Sequence, residues 1–239
     1  MKRALVTGGS GDLGAAIAKQ LAKDGSHIIV HSFSNLDKAR STAQEIVGQG
    51  GSAEAVTFDI TDSEATRTAI EHLLESGPIQ IIVNNAGVHA DATFAGMSVL
   101  QWRKVIDVNL NGFFNVTQPL LLPMISTRWG RIVNISSVAG VMGNRGQVNY
   151  AAAKAALHGA SKSLAIELGS RGITVNVVAP GIIAGEMAKN SFTEEQIKTL
   201  VPLKRAGLPD EIAAVVRFLC SNEASYVSGQ VIGVNGALA

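Results

Sequence analysis

The sequence has a single cysteine, no run of about 18 apolar residues, no block of like charge and no internal repeat, and each absence narrows what it encodes. One thiol makes no internal disulfide. Cys220 stands beside the apolar run Val215–Leu219, where it reads as a buried structural thiol in a reducing compartment. The absence of a long apolar run leaves no candidate membrane span. The short apolar stretch after Lys2 and Arg3 is too brief for a signal peptide, and a cytoplasmic protein is expected. With 20 basic and 19 acidic residues the formal charge is +1, so neither a nucleic-acid surface nor a polybasic membrane surface is expected. His31, His89 and His158 lack the spacing or carboxylate neighbours of a metal site, and no metal is expected. No linker or low-complexity tract divides the 239 residues, a length that one large domain fills with its own core.

What is present is alternation. Short apolar runs at Ala4–Val6, His27–His31, Ala53–Phe58, Ile79–Asn84, Arg131–Ile135, Thr174–Val178 and Gln230–Val234 read as strands. Between them Leu13–Lys23, Leu36–Val47, Ser63–Glu75, Asn149–Ser170 and Pro209–Leu219 carry apolar residues at three- and four-residue spacing, the pattern of helices. Strands alternating with helices predict a single α/β domain over residues 1–239. Its expected form is a Rossmann-type doubly wound parallel sheet of about seven strands with helices on both faces. Trp102 and the pair Phe113 and Phe114 lie in an amphipathic helical stretch before Pro119, which reads as core or subunit packing.

Chemistry concentrates in two places. Tyr150 and Lys154 are four residues apart in a helical pattern, so both side chains face one space, where a cation near the phenol would lower its pKa from about 10. Ser137 follows the strand ending at Ile135, which puts its hydroxyl at a carboxyl end of the sheet, where open α/β sheets bind ligands. The second place is the turn from Thr7 to Gly14, directly after a strand and opening a helix. It reads either as a pyrophosphate cradle or as a tight strand-to-helix connection. After the second strand, where an acidic residue would hold an adenosine ribose, the chain has His31, Ser32, Phe33 and Ser34. A 2′-phosphate is therefore not repelled there, and Ser32 and Ser34 can donate to it. Asp59 either bonds an adenine amine or caps the turn before Ser63, and Asn84 to Gly87 form either a close approach to a cofactor or a bare turn.

In order along the chain, the glycine-rich turn, Asn84 to Gly87, Asn109, Ser137, Tyr150, Lys154 and Pro180-Gly181 resemble the short-chain dehydrogenase/reductase family over the entire length. The runs Val141–Lys154, Arg171–Gly181, Pro202–Arg205 and Tyr226–Val231 are similar to its 3-oxoacyl-[acyl-carrier-protein] reductase branch. Asp24–His31 and Asn115–Ile125 are similar to reductases of aryl-polyene pathways. The resemblance implies Tyr150 as proton donor, Ser137 as hydrogen-bond donor to the substrate oxygen, Lys154 as the cation beside the phenol, and Asn109 as support for a water relay. It implies NADPH/NADP held by Gly8, Ser10, Asp12, Leu13, Gly14, Ser32, Ser34, Asp59, Ile60, Asn85, Ala86, Gly87, Tyr150, Lys154, Pro180, Gly181 and Ile183.

The resemblance also implies an acyl carrier protein bearing the substrate and docking on Arg128 and Arg171. A loop at about 182–204 would cover the substrate. A homotetramer would form through Leu100–Leu122, Asn149–Ser170 and Tyr226–Leu238. Three positions depart from the family pattern: Gly11 stands where a basic residue is usual, Asp12 where glycine is usual, and Gly185 where threonine is frequent. The first weakens the expected NADP preference, and Asp12 adds negative charge beside the expected pyrophosphate. The expected reaction is reduction of a 3-oxoacyl thioester in fatty-acid or aryl-polyene biosynthesis. Reduction of a free small-molecule ketone, or a catalytically idle cofactor-binding protein, are the alternatives.

Overall fold

The computed structural model describes residues 1–185 and 192–239. Seven strands, β1 (Arg3–Val6), β2 (His27–Ser32), β3 (Ser52–Thr57), β4 (Ile81–Asn84), β5 (Gly130–Ile135), β6 (Ile173–Pro180) and β7 (Val231–Val234), form one sheet in the order β3-β2-β1-β4-β5-β6-β7. Every pairing is parallel. The strands read as unbroken apolar runs because both faces of the sheet are covered. The two-residue pleat of β1 shows this directly: Ala4 and Val6 face one core and Leu5 the other.

The first core is closed by α1 (Asp12–Ala22), α2 (Leu36–Gly48) and α9 (Pro209–Cys220), which contribute Ile17, Leu21, Ile46, Ile212, Val216 and Leu219. Cys220 is buried in it and its thiol is pushed up to about 12 by burial, so it is inert packing. The second core is closed by α3 (Ser63–Leu74), α5 (Gly112–Ser126) and α7 (Val148–Leu168) through Ile70, Leu73, Val116, Leu120, Met124 and Leu168. The strand order reverses between β1 and β4, so a crevice opens there at the carboxyl ends of the strands. The turns after those two strands are the glycine-rich turn and Asn84 to Gly87.

One stretch extends the expectation and another differs from it. The helical pattern before Pro119 continues past it. The chain passes from α4 (Val99–Ile106) through a π-helical turn, Asp107–Asn111, into α5, which contains both Pro119 and Pro123. Burial of Val116, Leu120 and Met124 outweighs the roughly 3 kcal/mol that an interior proline costs a helix. The stretch at 182–204 is not loop throughout: it contains α8 (Glu194–Leu200), opened by a capping box between Thr193 and Gln196. Residues 186–191 of that expected cover lie outside the described residues. A further short helix, α6 (Ala139–Met142), follows Ser137. Among the described residues no helix is long and apolar enough to cross a membrane, and no group of three or more His, Cys, Asp or Glu could hold a metal ion.

Candidate active site

Ser137 lies just past β5, and Tyr150 and Lys154 lie on the first turns of α7. The junction between these elements is built from backbone. Ser136 N–H donates to Val178 O at 2.8 Å, and Val138 N–H donates to Pro180 O at 2.7 Å, fixing the strand exit. The Ser136 hydroxyl donates to Lys154 O at 3.0 Å and contacts His158 Nε2 at 2.8 Å, tying that exit to α7. α6 packs so closely on α7 that a Cβ on Gly140 would meet Ala155 N and Lys154 C at 2.9 Å, so no larger residue fits there.

Asn149, fully buried, sets the start of α7. Its Nδ2 donates to Ala90 O at 3.0 Å, and its Oδ1 accepts from Tyr150 N–H at 2.8 Å. This residue was not among the sequence candidates, although a lone amide opening an alanine-rich helix was the available signal.

The Ser137 hydroxyl is hydrogen-bonded to the Tyr150 phenol and accepts from Ala139 N–H at 3.1 Å. The Tyr150 phenol is held above its ordinary value by burial first, with the Ser137 hydrogen bond acting the other way and the charge of Asp91 adding to the rise. The expected lowering by Lys154 is not what the geometry gives. The ammonium sits 5.6 Å from the ring centroid and donates to Ile135 O at 2.8 Å, and burial dominates the phenol. Burial also lowers Lys154, to about 8. The site therefore holds a protonated phenol beside an amine poised near neutral pH, which are the proton-donating form and a group able to resupply it.

Asn109 comes from the π-helical turn, whose extra residue turns the side chain inward. Its Nδ2 donates to Val88 O at 2.7 Å and Val105 O at 2.8 Å, while its buried Oδ1 has no partner. A Cβ on Gly87 would lie 2.7 Å from that Oδ1 and 3.2 Å from Lys154 Nζ, so glycine keeps the space between them open. A cavity of about 10 Å³ bordered by Thr7, Asn84, Asn109 and Lys154 lies alongside. That is room for about one water, with an orphan acceptor and an ammonium as its partners.

The glycine-rich turn is clamped from two sides. Thr7 Oγ1 accepts from Asn85 and Ala86 N–H, each at 3.0 Å, and Asn85 Nδ2 donates to Thr7 O and Gly8 O at 3.0 and 3.2 Å. From the other side His31 Nδ1 accepts from Gly8 N–H at 3.2 Å, and His31 Nε2 donates to Phe58 O at 2.9 Å. The bond from Gly8 needs the neutral ring, whereas the donation to Phe58 O does not, and burial pushes His31 down to about 4. The spacing of the histidines excludes His31 as a metal ligand and says nothing of its place; it is buried, and it shapes the turn.

A Cβ on Gly14 would lie 2.2 Å from Gly8 O, so α1 closes on the turn only with glycine. The N-cap of α1 is Gly11, with no side-chain cap, which leaves the N–H groups of Leu13 and Gly14 facing an uncapped helix end. Asp12 opens α1, and Ser10 is half-buried in the turn. The departures at Asp12 and Gly185 meet: a Cβ on Gly185 would be 2.8 Å from Asp12 Oδ2, so the carboxylate takes room that a larger residue at 185 would need.

Ser32 is buried at the end of β2, and Ser34 is exposed just beyond it. Asp59 Oδ1 accepts from Thr61 N–H at 2.8 Å and from its hydroxyl at 2.7 Å, so that oxygen caps the turn. Ile60 is buried beneath Gly112. Pro180 ends β6, Gly181 N–H donates to Val234 O at 3.1 Å, and Ile183 bridges Gly207. These residues ring the crevice. Arg128 and Arg171 do not, since they precede β5 and β6 at the amino ends of the strands, the opposite end of the sheet.

A half-buried serine and tyrosine above a buried lysine, beside a glycine-cradled helix terminus at a topological switch point, form a dehydrogenase arrangement, and residues 2–196 match the family described as short chain dehydrogenase. The chain belongs to the short-chain dehydrogenase family. Its curated relatives include a 3-oxoacyl-[acyl-carrier-protein] reductase FabG of Aquifex aeolicus (strain VF5), 47% identical over 99% of this chain and 97% of the relative. The protein of the same name from Aggregatibacter actinomycetemcomitans is 43% identical over 98% of each chain. A nodulation protein G of Azospirillum brasilense is 42% identical over 99% of this chain and 98% of its own. Short-chain dehydrogenases bind a nicotinamide cofactor, and the residues here fit one. The uncapped α1 terminus and the Gly14 cradle suit a pyrophosphate, while the orphan Asn109 Oδ1 and Lys154 Nζ stand where the crevice deepens.

Proposed function

We propose that the protein reduces a 3-oxoacyl-[acyl-carrier-protein] thioester to the 3-hydroxyacyl thioester with NADPH. The substrate class is supported by the near-complete coverage of relatives that carry that name. The chemistry is supported by the protonated Tyr150 phenol in contact with Ser137. When bound, the reduced nicotinamide supplies a hydride to the C3 carbonyl carbon. The Ser137 hydroxyl and the Tyr150 phenol hold the carbonyl oxygen, and the phenol transfers its proton to that oxygen as negative charge develops there. Lys154, near pH 8 in its titration, stabilises the phenolate left behind, and a water between Lys154 Nζ and Asn109 Oδ1 returns the proton.

The preference for NADPH rests on Ser32 and Ser34 where a carboxylate would repel a 2′-phosphate, with Asp59, Asn85, Ala86, Gly87, Pro180, Gly181 and Ile183 along the rest of the cofactor path. The reading includes a cytoplasmic homotetramer formed through the outer faces of α5 and α7 and the β7 edge.

The test is NADPH oxidation with a carrier-linked 3-oxoacyl substrate, the same acyl group on a small thiol, and simple ketones, for the wild type and Tyr150→Phe. Turnover of the carrier-linked substrate should fall by about 10²–10⁴-fold in the variant while cofactor binding persists. Turnover of simple ketones alone would instead make this a free-ketone reductase. No turnover of any substrate, with NADPH still bound, would make it an idle binding protein.

A further inference from the structure

Two consecutive amides of the glycine-rich turn are held by one residue. Gly8 N–H donates to His31 Nδ1 at 3.2 Å, and Gly9 N–H donates to the His31 backbone oxygen at 2.8 Å. Any residue at position 31 brings a carbonyl to Gly9. Only a side chain with an acceptor at the Nδ1 position serves Gly8.

These bonds act on the two peptide planes that flank Gly8, whose φ is +61°. The plane between Thr7 and Gly8 is held on one edge by Asn85 Nδ2, which donates to Thr7 O at 3.0 Å, and on the other by His31 Nδ1. The plane between Gly8 and Gly9 is held by Asn85 Nδ2, which donates to Gly8 O at 3.2 Å, and by the His31 oxygen. A glycine in the left-handed region rotates these planes at little steric cost, so the hydrogen bonds decide their direction. Gly8 O also accepts from Gly11 N–H at 3.1 Å, so the direction is passed to the residue that caps α1.

The ring is fixed for this task. His31 is buried against Phe58, with ring centroids 4.2 Å apart. Its Nε2 donates to Phe58 O at 2.9 Å, which puts the proton on Nε2 and leaves the lone pair of Nδ1 for Gly8. The hydroxyl cluster is anchored separately, through Val178 O, Pro180 O and Ala90 O.

We propose that His31 is a positioning residue for the nicotinamide cofactor: its bond to Gly8 N–H aims the turn and the α1 terminus at the pyrophosphate, and it takes no part in the hydride and proton steps. This rests on the cofactor that the family binds, and on neither the carrier-linked substrate nor the preference for NADPH.

The test compares the wild type with His31→Phe and His31→Asn. Phenylalanine keeps a ring against Phe58 and has no acceptor. Asparagine places its Oδ1 where Nδ1 stands and is too short to reach Phe58 O. Calorimetric titration of the cofactor-free proteins with NADPH and with NADH gives the dissociation constants. His31→Phe should weaken both cofactors about 10-fold or more, the scale of one lost buried hydrogen bond. His31→Asn should return them to within about threefold of the wild type, although both variants melt at lower temperature. Turnover of a 3-oxoacyl thioester of a small thiol at saturating cofactor should stay within about twofold in both.

Amide hydrogen exchange resolved at single residues reads the turn itself, without cofactor. Gly8 should exchange faster in His31→Phe than in the wild type and His31→Asn, while Gly9, bonded to backbone, stays protected in all three.

Equal cofactor affinity in the wild type and His31→Phe would overturn the proposal. Equal losses in the two variants would overturn it as well, by placing the effect in the ring packing or the Phe58 bond. Should His31→Phe fail to fold, either of two results still overturns it: a wild-type Gly8 that exchanges as fast as an exposed amide, or a His31→Asn chain that binds cofactor about 10-fold more weakly. A wild type that binds neither cofactor would overturn it together with the cofactor reading beneath it.

Discussion

At the scale of single residues the site works through protonation states that burial sets. The Tyr150 phenol stays protonated because taking a phenolate out of water costs more than a lysine 5.6 Å from the ring centroid returns. Sequence spacing placed the two side chains on one face of a helix, but the sign of the phenol shift depended on how deeply both are enclosed. Ser32 offers a sharper test of one residue. It ends β2 without a carboxylate beside it in the chain, so Ser32→Asp should repel a 2′-phosphate and reverse the proposed preference for NADPH over NADH. Steady-state kinetics of both cofactors check this. Wild-type kcat/KM with NADH equal to or above that with NADPH would remove the premise.

At the scale of elements the hydroxyl cluster exists because three pieces are locked together: the end of β5, α6 and the start of α7. Glycine at 140 allows the α6 contact, and Asn149 sews α7 to the loop at Ala90. Asn149→Ala leaves Ala90 O and Tyr150 N–H without their partner in a buried place, a loss of about 2–3 kcal/mol. For a chain of this size that is a fall in Tm of roughly 4–12 °C, together with a larger loss in kcat than in the KM for NADPH, because Tyr150 moves and the glycine-rich turn does not. Calorimetry and kinetics on the same preparation check both parts, and an unchanged Tm would mean that water replaces the amide at no cost. The π-helical turn that aims Asn109 inward was invisible in the sequence, since no local pattern distinguishes it from the α-helical turns on either side.

At the scale of the whole molecule His31 couples the turn, the sheet and pH. Its folded value of about 4 lies below the ordinary 6.5, so between these values the unfolded chain binds a proton that the folded one excludes. Stability from this residue is therefore complete above about pH 6.5 and is lost progressively as pH falls towards 4, reaching about 2 kcal/mol at pH 5. His31→Gln keeps a donor and an acceptor without the titration. Urea unfolding at pH 7.5 and 5 should show a smaller loss in the variant than in the wild type, whereas equal losses would place the acid sensitivity elsewhere.

The sequence by itself determined the layered α/β sheet, because strands buried on both faces must be continuously apolar and the helices between them must show a three- to four-residue period. It also determined which side chains converge at the carboxyl ends of the strands, because β5, α7 and the glycine-rich turn each place their residues by local geometry. Tertiary structure alone decided which way the Tyr150 phenol shifts, where the orphan oxygen of Asn109 points, and that Asp12 and Gly185 share one space. Those three depend on burial and on contacts between residues far apart in the chain, which local periodicity does not encode.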